Sequence, residues 1–243
     1  MKLSNRILIL SATLALIAVP ISLSAQWNKK PYTEWSEKEA TKVWENSPWA
    51  QTQVFSDTSS EFKTGPARGA LGTGDNSSGD YSAHSLSIRM RLLSAKPVRQ
   101  AFARIVALTQ KGQITPQIDA RLKAFATQDF PDIIVISLDC DAKESKSEFR
   151  EFKALLDNRT IADLKHNTYI TGKGGQRVYI ETYQPPKNDN LGAKLIFPRL
   201  VNGEPFITAS TDEIHFYSEF STKYVLNMRY KVKDMTADGK LEY

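Results

Sequence analysis

Asp139-Cys140-Asp141 is the densest group of reactive side chains in the chain, a single thiol between two carboxylates directly after an apolar run. At the end of a central strand such a thiol can act as a nucleophile if a histidine comes close enough to take its proton. The flanking carboxylates work against this, because they raise the thiol pKa and deplete the thiolate, and a lone Cys at a strand end is more often a small buried hydrophobe. The same stretch begins like a calcium loop, with Asp139 and Asp141 in its first and third positions. Lys143 then holds the fifth, Glu144 replaces the sixth-position Gly and Arg150 the twelfth-position Glu, so an EF-hand is excluded.

Metal and phosphate chemistry find little support elsewhere. The three histidines, His84, His166 and His215, form no helical i, i+4 pair and no His-x-His, so a zinc site would need ligands from distant segments. Gly172-Lys173-Gly174-Gly175 has no Lys-Ser/Thr ending and no helix pattern after it, so a tight turn accounts for it better than a phosphate loop. No Gly-x-Ser-x-Gly, His-Glu-x-x-His or Gly-x-Gly-x-x-Gly motif occurs, and no cofactor or metal is expected. Asp139, Asp141 and Glu181 are the acids that a hydrolase or carbohydrate-active site would draw on, provided the fold sets two of them about 5 to 10 Å apart. Lys223, Arg229, Lys231 and Lys233, joined by Arg89 and Arg91, suit a basic sheet face for acidic polysaccharide or lipid headgroups. Tyr179, Glu181 and Tyr183 on a neighbouring strand suit sugar stacking, although Tyr is also an ordinary strand former.

The elements that must position these residues follow an export signal. Lys2 and Arg6 precede the apolar run Ile7 to Leu23, and Ser22 and Ser24 place small residues ahead of a cut at Ala25. Removal of 1–25 takes away two cations and lowers the net charge of +5 accordingly, so the sequence offers nucleic acid little attraction. Contact with a membrane is expected only through an uncleaved signal segment. Cys140 is the only cysteine, so the fold stands on its core without an intramolecular disulfide. The sequons at Asn76 and Asn158 matter only in a eukaryotic secretory pathway.

Trp27, Trp35, Trp44 and Trp49 crowd one short segment. There Ser36 and Glu39 form a capping box, and Ala40, Val43, Trp44 and Ser47 repeat at helical spacing until Pro48, which predicts a helix over 37–46. A helix that short must pack its Trp face on the core or on a partner. From 51 to 80 the chain turns to polar residues and glycine, a composition that reads as a linker or loop. Beyond Tyr81, Leu86, Ile88, Met90 and Leu92 alternate with polar residues as in a half-buried strand. A helical hairpin follows, its second helix opened by Thr115-Pro116. Ile133 to Leu138 suits a central strand buried on both faces, and Ser145 with Glu148 caps a further helix. The remainder predicts strands at 167–171, 176–183, 193–198, 213–220, 223–233 and 239–243, most clearly where Leu226, Met228, Tyr230 and Val232 alternate with Asn227, Arg229, Lys231 and Lys233.

Lys30-Pro31-Tyr32-Thr33-Glu34-Trp35-Ser36, Asn46-Ser47-Pro48-Trp49-Ala50 and Asp238-Gly239-Lys240-Leu241-Glu242-Tyr243 resemble uncharacterised exported proteins of acidobacterial type. The resemblance implies a bacterial envelope or secreted protein and brings no activity, cofactor or catalytic residue with it. The expected fold class is α+β, a mostly antiparallel sheet with a helical hairpin and further short helices packed on it. The expected organisation is a signal peptide (1–25), a Trp-rich segment (26–50), a loop or linker (51–80) and the α+β domain (81–243). The expected role is a non-enzymatic, envelope-associated binding or structural module, with Trp27, Trp35, Trp44 and Trp49 as partner-binding residues. Its partner would be an envelope protein or polysaccharide. The competing expectation is an enzyme with an acidic site.

Overall fold

The computed structural model describes residues 30–56, 85–143 and 146–243. The expected signal peptide, Trp27, His84, Ser145 and residues 57–80 of the expected loop lie outside them. The first described elements are helix α1 (Glu37–Glu45), strands β1 (Ala50–Ser56) and β2 (Ser85–Leu92), helices α2 (Lys96–Thr109) and α3 (Pro116–Thr127), strand β3 (Ile133–Lys143), and helices α4 (Lys146–Asn158) and α5 (Ile161–Leu164). Strands then take over, β4 (Thr168–Thr171), β5 (Arg177–Tyr179), β6 (Thr182–Gln184), β7 (Ala193–Pro198), β8 (Leu200–Val201), β9 (Glu204–Pro205), β10 (Glu213–Glu219), β11 (Val225–Lys231), β12 (Thr236–Ala237) and β13 (Lys240–Leu241). The protein is mixed α and β, and the strand pairs among the described residues are antiparallel.

Two sheets face each other. One runs β1-β2-β3-β7-β6 and the other β11-β10-β4-β5. Leu86, Ile88, Met90 and Leu92 of β2, Ile136 and Leu138 of β3 and Leu195 and Phe197 of β7 are buried on the first; Ile170, Phe216, Leu226, Met228 and Tyr230 are buried on the second. Phe197 meets Phe216 edge to face across the interior, with ring centroids 6.2 Å apart. Helix α4 adds Phe152, packed on Phe220 and Tyr224.

The sheets join differently at their two rims. At one, the main chain crosses directly from β5 to β6, and the Ile180 N–H bonds Thr168 O in one sheet while the Glu181 N–H bonds Ile196 O in the other. The strand predicted at 176–183 is therefore two strands in two sheets. At the other rim, glutamines of β1 reach to the β11 backbone. The Gln53 side chain donates to Val225 O at 2.9 Å and accepts from the Asn227 N–H at 3.0 Å, and Gln51 donates to Arg229 O. The result is a flattened barrel closed by main chain on one side and by side chains on the other. Residues 51–56, read from composition as part of the loop, are thus a paired strand.

Helix α1 forms where the capping box predicts it: Ser36 Oγ accepts from the Glu39 N–H and the Glu39 carboxylate accepts from the Ser36 N–H at 2.7 Å. Its buried residues, Ala40, Val43 and Trp44, turn toward α2 and the outer face of β2. Trp44 meets Phe102 of α2 at 5.3 Å, and Phe102 meets Phe125 of α3 at 5.8 Å. Trp49 is fully buried and donates from Nε1 to Glu242 O at 2.7 Å. Trp35, Trp44 and Trp49 are therefore buried in the chain's own core. Among the described residues that core draws on side chains from Trp35 to Tyr243.

Local chemistry fixes the remaining turns that matter. Thr115 Oγ1 caps α3 by accepting from the Ile118 N–H. The Gly172–Gly175 segment joins β4 to β5, with Gly174 and Gly175 at positive φ, as a tight turn requires. Buried Arg99 donates to the carbonyls of Leu93 at 2.9 Å and Phe125 at 3.1 Å, and to those of Ser94 and Gln128, riveting α2 to the turn before it and to the end of α3.

Candidate functional site

The Cα registers Thr52↔Arg89↔Asp139, Ala50↔Arg91↔Ser137 and Val54↔Ser87↔Asp141 run across β1, β2 and β3. Side chains alternate along strands, and Leu86, Ile88, Met90 and Leu92 face the core, so these rows lie on the outer face of the sheet. Arg89 and Arg91 therefore reach the same carboxylate, Asp139, from neighbouring positions. Arg89 Nε donates to Oδ1 at 2.7 Å and Arg91 Nη1 to Oδ2 at 2.8 Å.

Arg91 is the deeper of the two, 1 % exposed, and its parity alone would place it in water. Helix α1 covers it. The guanidinium lies 4.0 Å from the centre of the Trp44 ring, and Nε donates to Trp44 O at 2.7 Å, near the negative end of the helix. Burial pushes the Arg91 pKa down while Asp139 acts to restore it. For Arg89 burial also works against the charge, but the Asp139 hydrogen bond and the carboxylates of Asp139, Asp141 and Glu45 together raise its pKa.

Beside this triad the C-terminal end of α1 and the outer face of β1-β2-β3 enclose a groove of about 720 Å³. The helix end contributes Glu45 and Ser47, β1 Thr52, β2 Ser87 and Arg89, and β3 Asp141. Asp141 Oδ2 lies 3.8 Å from Arg89 Nη1, a loose pair whose carboxylate side chain is 66 % exposed. The groove therefore presents a guanidinium fixed from behind by Asp139, two carboxylates and several hydroxyls. Such a surface can hold a polar molecule by charge-assisted hydrogen bonds.

The residues expected to act as catalysts are placed otherwise. Cys140 faces the interior opposite Ile88 and is half-buried. Burial first, and then the Asp139 charge, push its thiol up to about 12. Native protein at about pH 8, near the free-thiol value of about 8.5, is expected to react slowly with iodoacetamide and rapidly once unfolded. Rapid labelling of the native state would put the thiol at the surface. Glu181 sits at the crossing between the sheets, two strands from β3; two strand spacings and the offset along the strands put it roughly 15 Å from Asp139. Glu181 is therefore too far from Asp139 to form a glycosidase-like pair, and Asp139, two residues from Asp141 on one strand face, is engaged by two arginines. Among the described residues no group of three His, Cys, Asp or Glu side chains is placed to hold a metal ion.

The basic face and the sugar-stacking face also resolve differently. Arg89 and Arg91 lie in one sheet and Arg229 and Lys231 in the other, while Lys223 pairs with Glu151 at 2.7 Å and Arg229 approaches Glu213 at 4.0 Å. Tyr183 is buried, its hydroxyl donating to Leu156 O. Tyr179 instead joins Tyr169 and Tyr217 in one cross-strand row. Tyr169 and Tyr217 stack at 5.0 Å with an interplanar angle of 18°, so the rings of neighbouring strands stand on edge, and Arg177 covers Tyr169 at 4.3 Å. No flat aromatic platform results. His215 bonds Glu213 at 2.9 Å on the same face.

The architecture is an α+β protein, a flattened antiparallel barrel with a helical layer on one face and a polar groove where the two meet. Comparison with protein-family models, curated proteins and solved structures gives no match. Among the described residues no helix is long and apolar enough to cross a membrane.

Proposed function

We propose that this chain is an exported, non-enzymatic binding module of the bacterial envelope that takes a small polar ligand in the groove between α1 and β1-β2-β3. One observation carries the reading: Asp139 holds Arg89 at the groove, and among the described residues the one thiol nearby, Cys140, faces the interior with its pKa raised. Such an arrangement favours binding over nucleophilic catalysis by the protein. A volume of about 720 Å³ falls within the range of about 300–1,000 Å³ of small-molecule sites. Export to the periplasm or beyond is supported by Lys2 and Arg6 ahead of the Ile7 to Leu23 run, with a signal peptide over 1–25 preceding the Trp-rich segment. The resemblance to acidobacterial exported proteins agrees with that location.

Thermal unfolding of the mature protein against a panel of sugars, sugar acids, amino acids and nucleotides tests the binding. At least one compound is expected to raise the Tm of the wild type and to leave Thr52→Trp unmoved, because Thr52 is an exposed position on an edge strand whose enlargement fills the groove. Mass spectrometry should return that compound unchanged. A panel without effect, or one acting equally on the Thr52→Trp variant, would overturn the assignment, and conversion of the compound would make the protein an enzyme. N-terminal sequencing of the chain recovered from a bacterial periplasm is expected to begin at Ala25 or Gln26.

A further inference from the structure

We infer that the ligand of this groove is a basic α-amino acid, its carboxylate on Arg89, its α-ammonium on Asp141 and its side-chain cation on Glu45. The inference rests on the groove being a ligand site and names the chemistry it selects. Arg89 lines the groove and commits Nε to Asp139, which leaves Nη1 and Nη2 as its donors for a ligand. That edge is the one that receives a carboxylate in two parallel hydrogen bonds. Asp141 Oδ2 stands 3.8 Å from Nη1, close enough for one ligand to reach both with groups borne on the same carbon. An α-amino acid has that geometry.

Charge decides between a zwitterion and a cation. Among the described residues Arg89 and Arg91 face Asp139, Asp141 and Glu45, a set with one net negative charge, and the ligand that neutralises it is a zwitterion with one further positive group. Glu45 is the last residue of α1, and the partial negative charge of a helix C-terminus adds to its pull on a cation. An anion on Arg89, such as a phosphate, would be repelled by both rim carboxylates. Apart from Ala50, the described side chains around the groove are polar, which favours a polar over an apolar side chain on the ligand.

Isothermal titration of the full mature chain with L-lysine, L-norleucine, L-lysine amide and Nα-acetyl-L-lysine tests this. L-lysine is expected to bind saturably, and each of the other three about tenfold or more weaker, since each lacks one charged hydrogen-bonding group. Glu45→Gln, at an exposed helix end, should bring lysine and norleucine to nearly equal affinity, whereas Arg89→Gln should abolish lysine binding in protein whose circular dichroism is unchanged. If Arg89→Gln fails to fold, Glu45→Gln still decides. Equal binding of lysine and norleucine by the wild type, or absence of lysine binding, overturns the inference. Should another compound of the thermal panel still be lost in Thr52→Trp, the groove remains a ligand site of different selectivity; if nothing binds in either experiment, both readings fall.

Discussion

Trp49→Ala is expected to cost about 3–5 kcal/mol of unfolding free energy, the range of a large aromatic truncated inside a core. Trp49 has no exposed surface, and its indole N–H donates to Glu242 O while its own carbonyl accepts from the Leu92 N–H at 2.9 Å. Truncation therefore opens a cavity and leaves Glu242 O without its donor. Trp49→Phe keeps most of the volume and loses only the donor, so its cost should be visibly smaller. Urea unfolding monitored by far-ultraviolet circular dichroism measures both, provided the slope is unchanged. A loss below about 1 kcal/mol for Trp49→Ala would detach the Trp segment from the core, because an exposed substitution costs no more than that.

Asp139→Ala should destabilise the chain by a similar amount, about 3–5 kcal/mol, because it strands a buried guanidinium without its counter-charge. Arg91 is the reason. Its side chain is 1 % exposed, and beyond Asp139 it meets the Trp44 carbonyl and the Trp44 ring. Adding Arg91→Met to Asp139→Ala removes the stranded charge and is expected to recover a large part of the loss, since an apolar residue of similar length suits the face of Trp44. If the double variant is less stable than Asp139→Ala alone, the guanidinium contributes more through Trp44 than through the ion pair. Added salt should change the Asp139→Ala deficit little, because the Arg91 guanidinium is shielded from solvent.

Much of the frame was legible in the residues themselves. The capping box and the Ala40, Val43, Trp44 spacing locate α1, the Thr115-Pro116 start locates α3, and the strict alternation of β11 declares its wet and dry faces. Two hairpins are equally legible. Asn202-Gly203 and Asp238-Gly239 have both residues at positive φ, the two-residue turns that join β8 to β9 and β12 to β13. The crossing between β5 and β6 also leaves a trace, since Val178 and Ile180 are buried in one phase and Tyr183 in the other.

What the sequence hid depends on tertiary docking. Arg91 has the parity of a wet position and is dry only because α1 descends on it. Strand β1 looks like loop because two of its inward residues are glutamines, and nothing local says that their amides will meet the backbone of β11. The groove could not be foreseen for the same reason: Glu45, Thr52, Arg89 and Asp141 come together only through the register of three strands and the seating of one helix.

The unequal rims give the barrel a hinge and a clasp. Where β5 runs into β6 the two sheets are one covalent strand and cannot part, whereas at the glutamine seam they are held by three side-chain hydrogen bonds spanning 172 to 178 residues of chain. Contacts so distant in sequence form late, once the rest of the chain has drawn their ends together, and they are the first from which a book-like opening can start. The Asn227 amide, bonded to Gln53 rather than to a neighbouring strand, is then the reporter of that opening. Its hydrogen exchange measures how often the clasp lets go while the hinge holds.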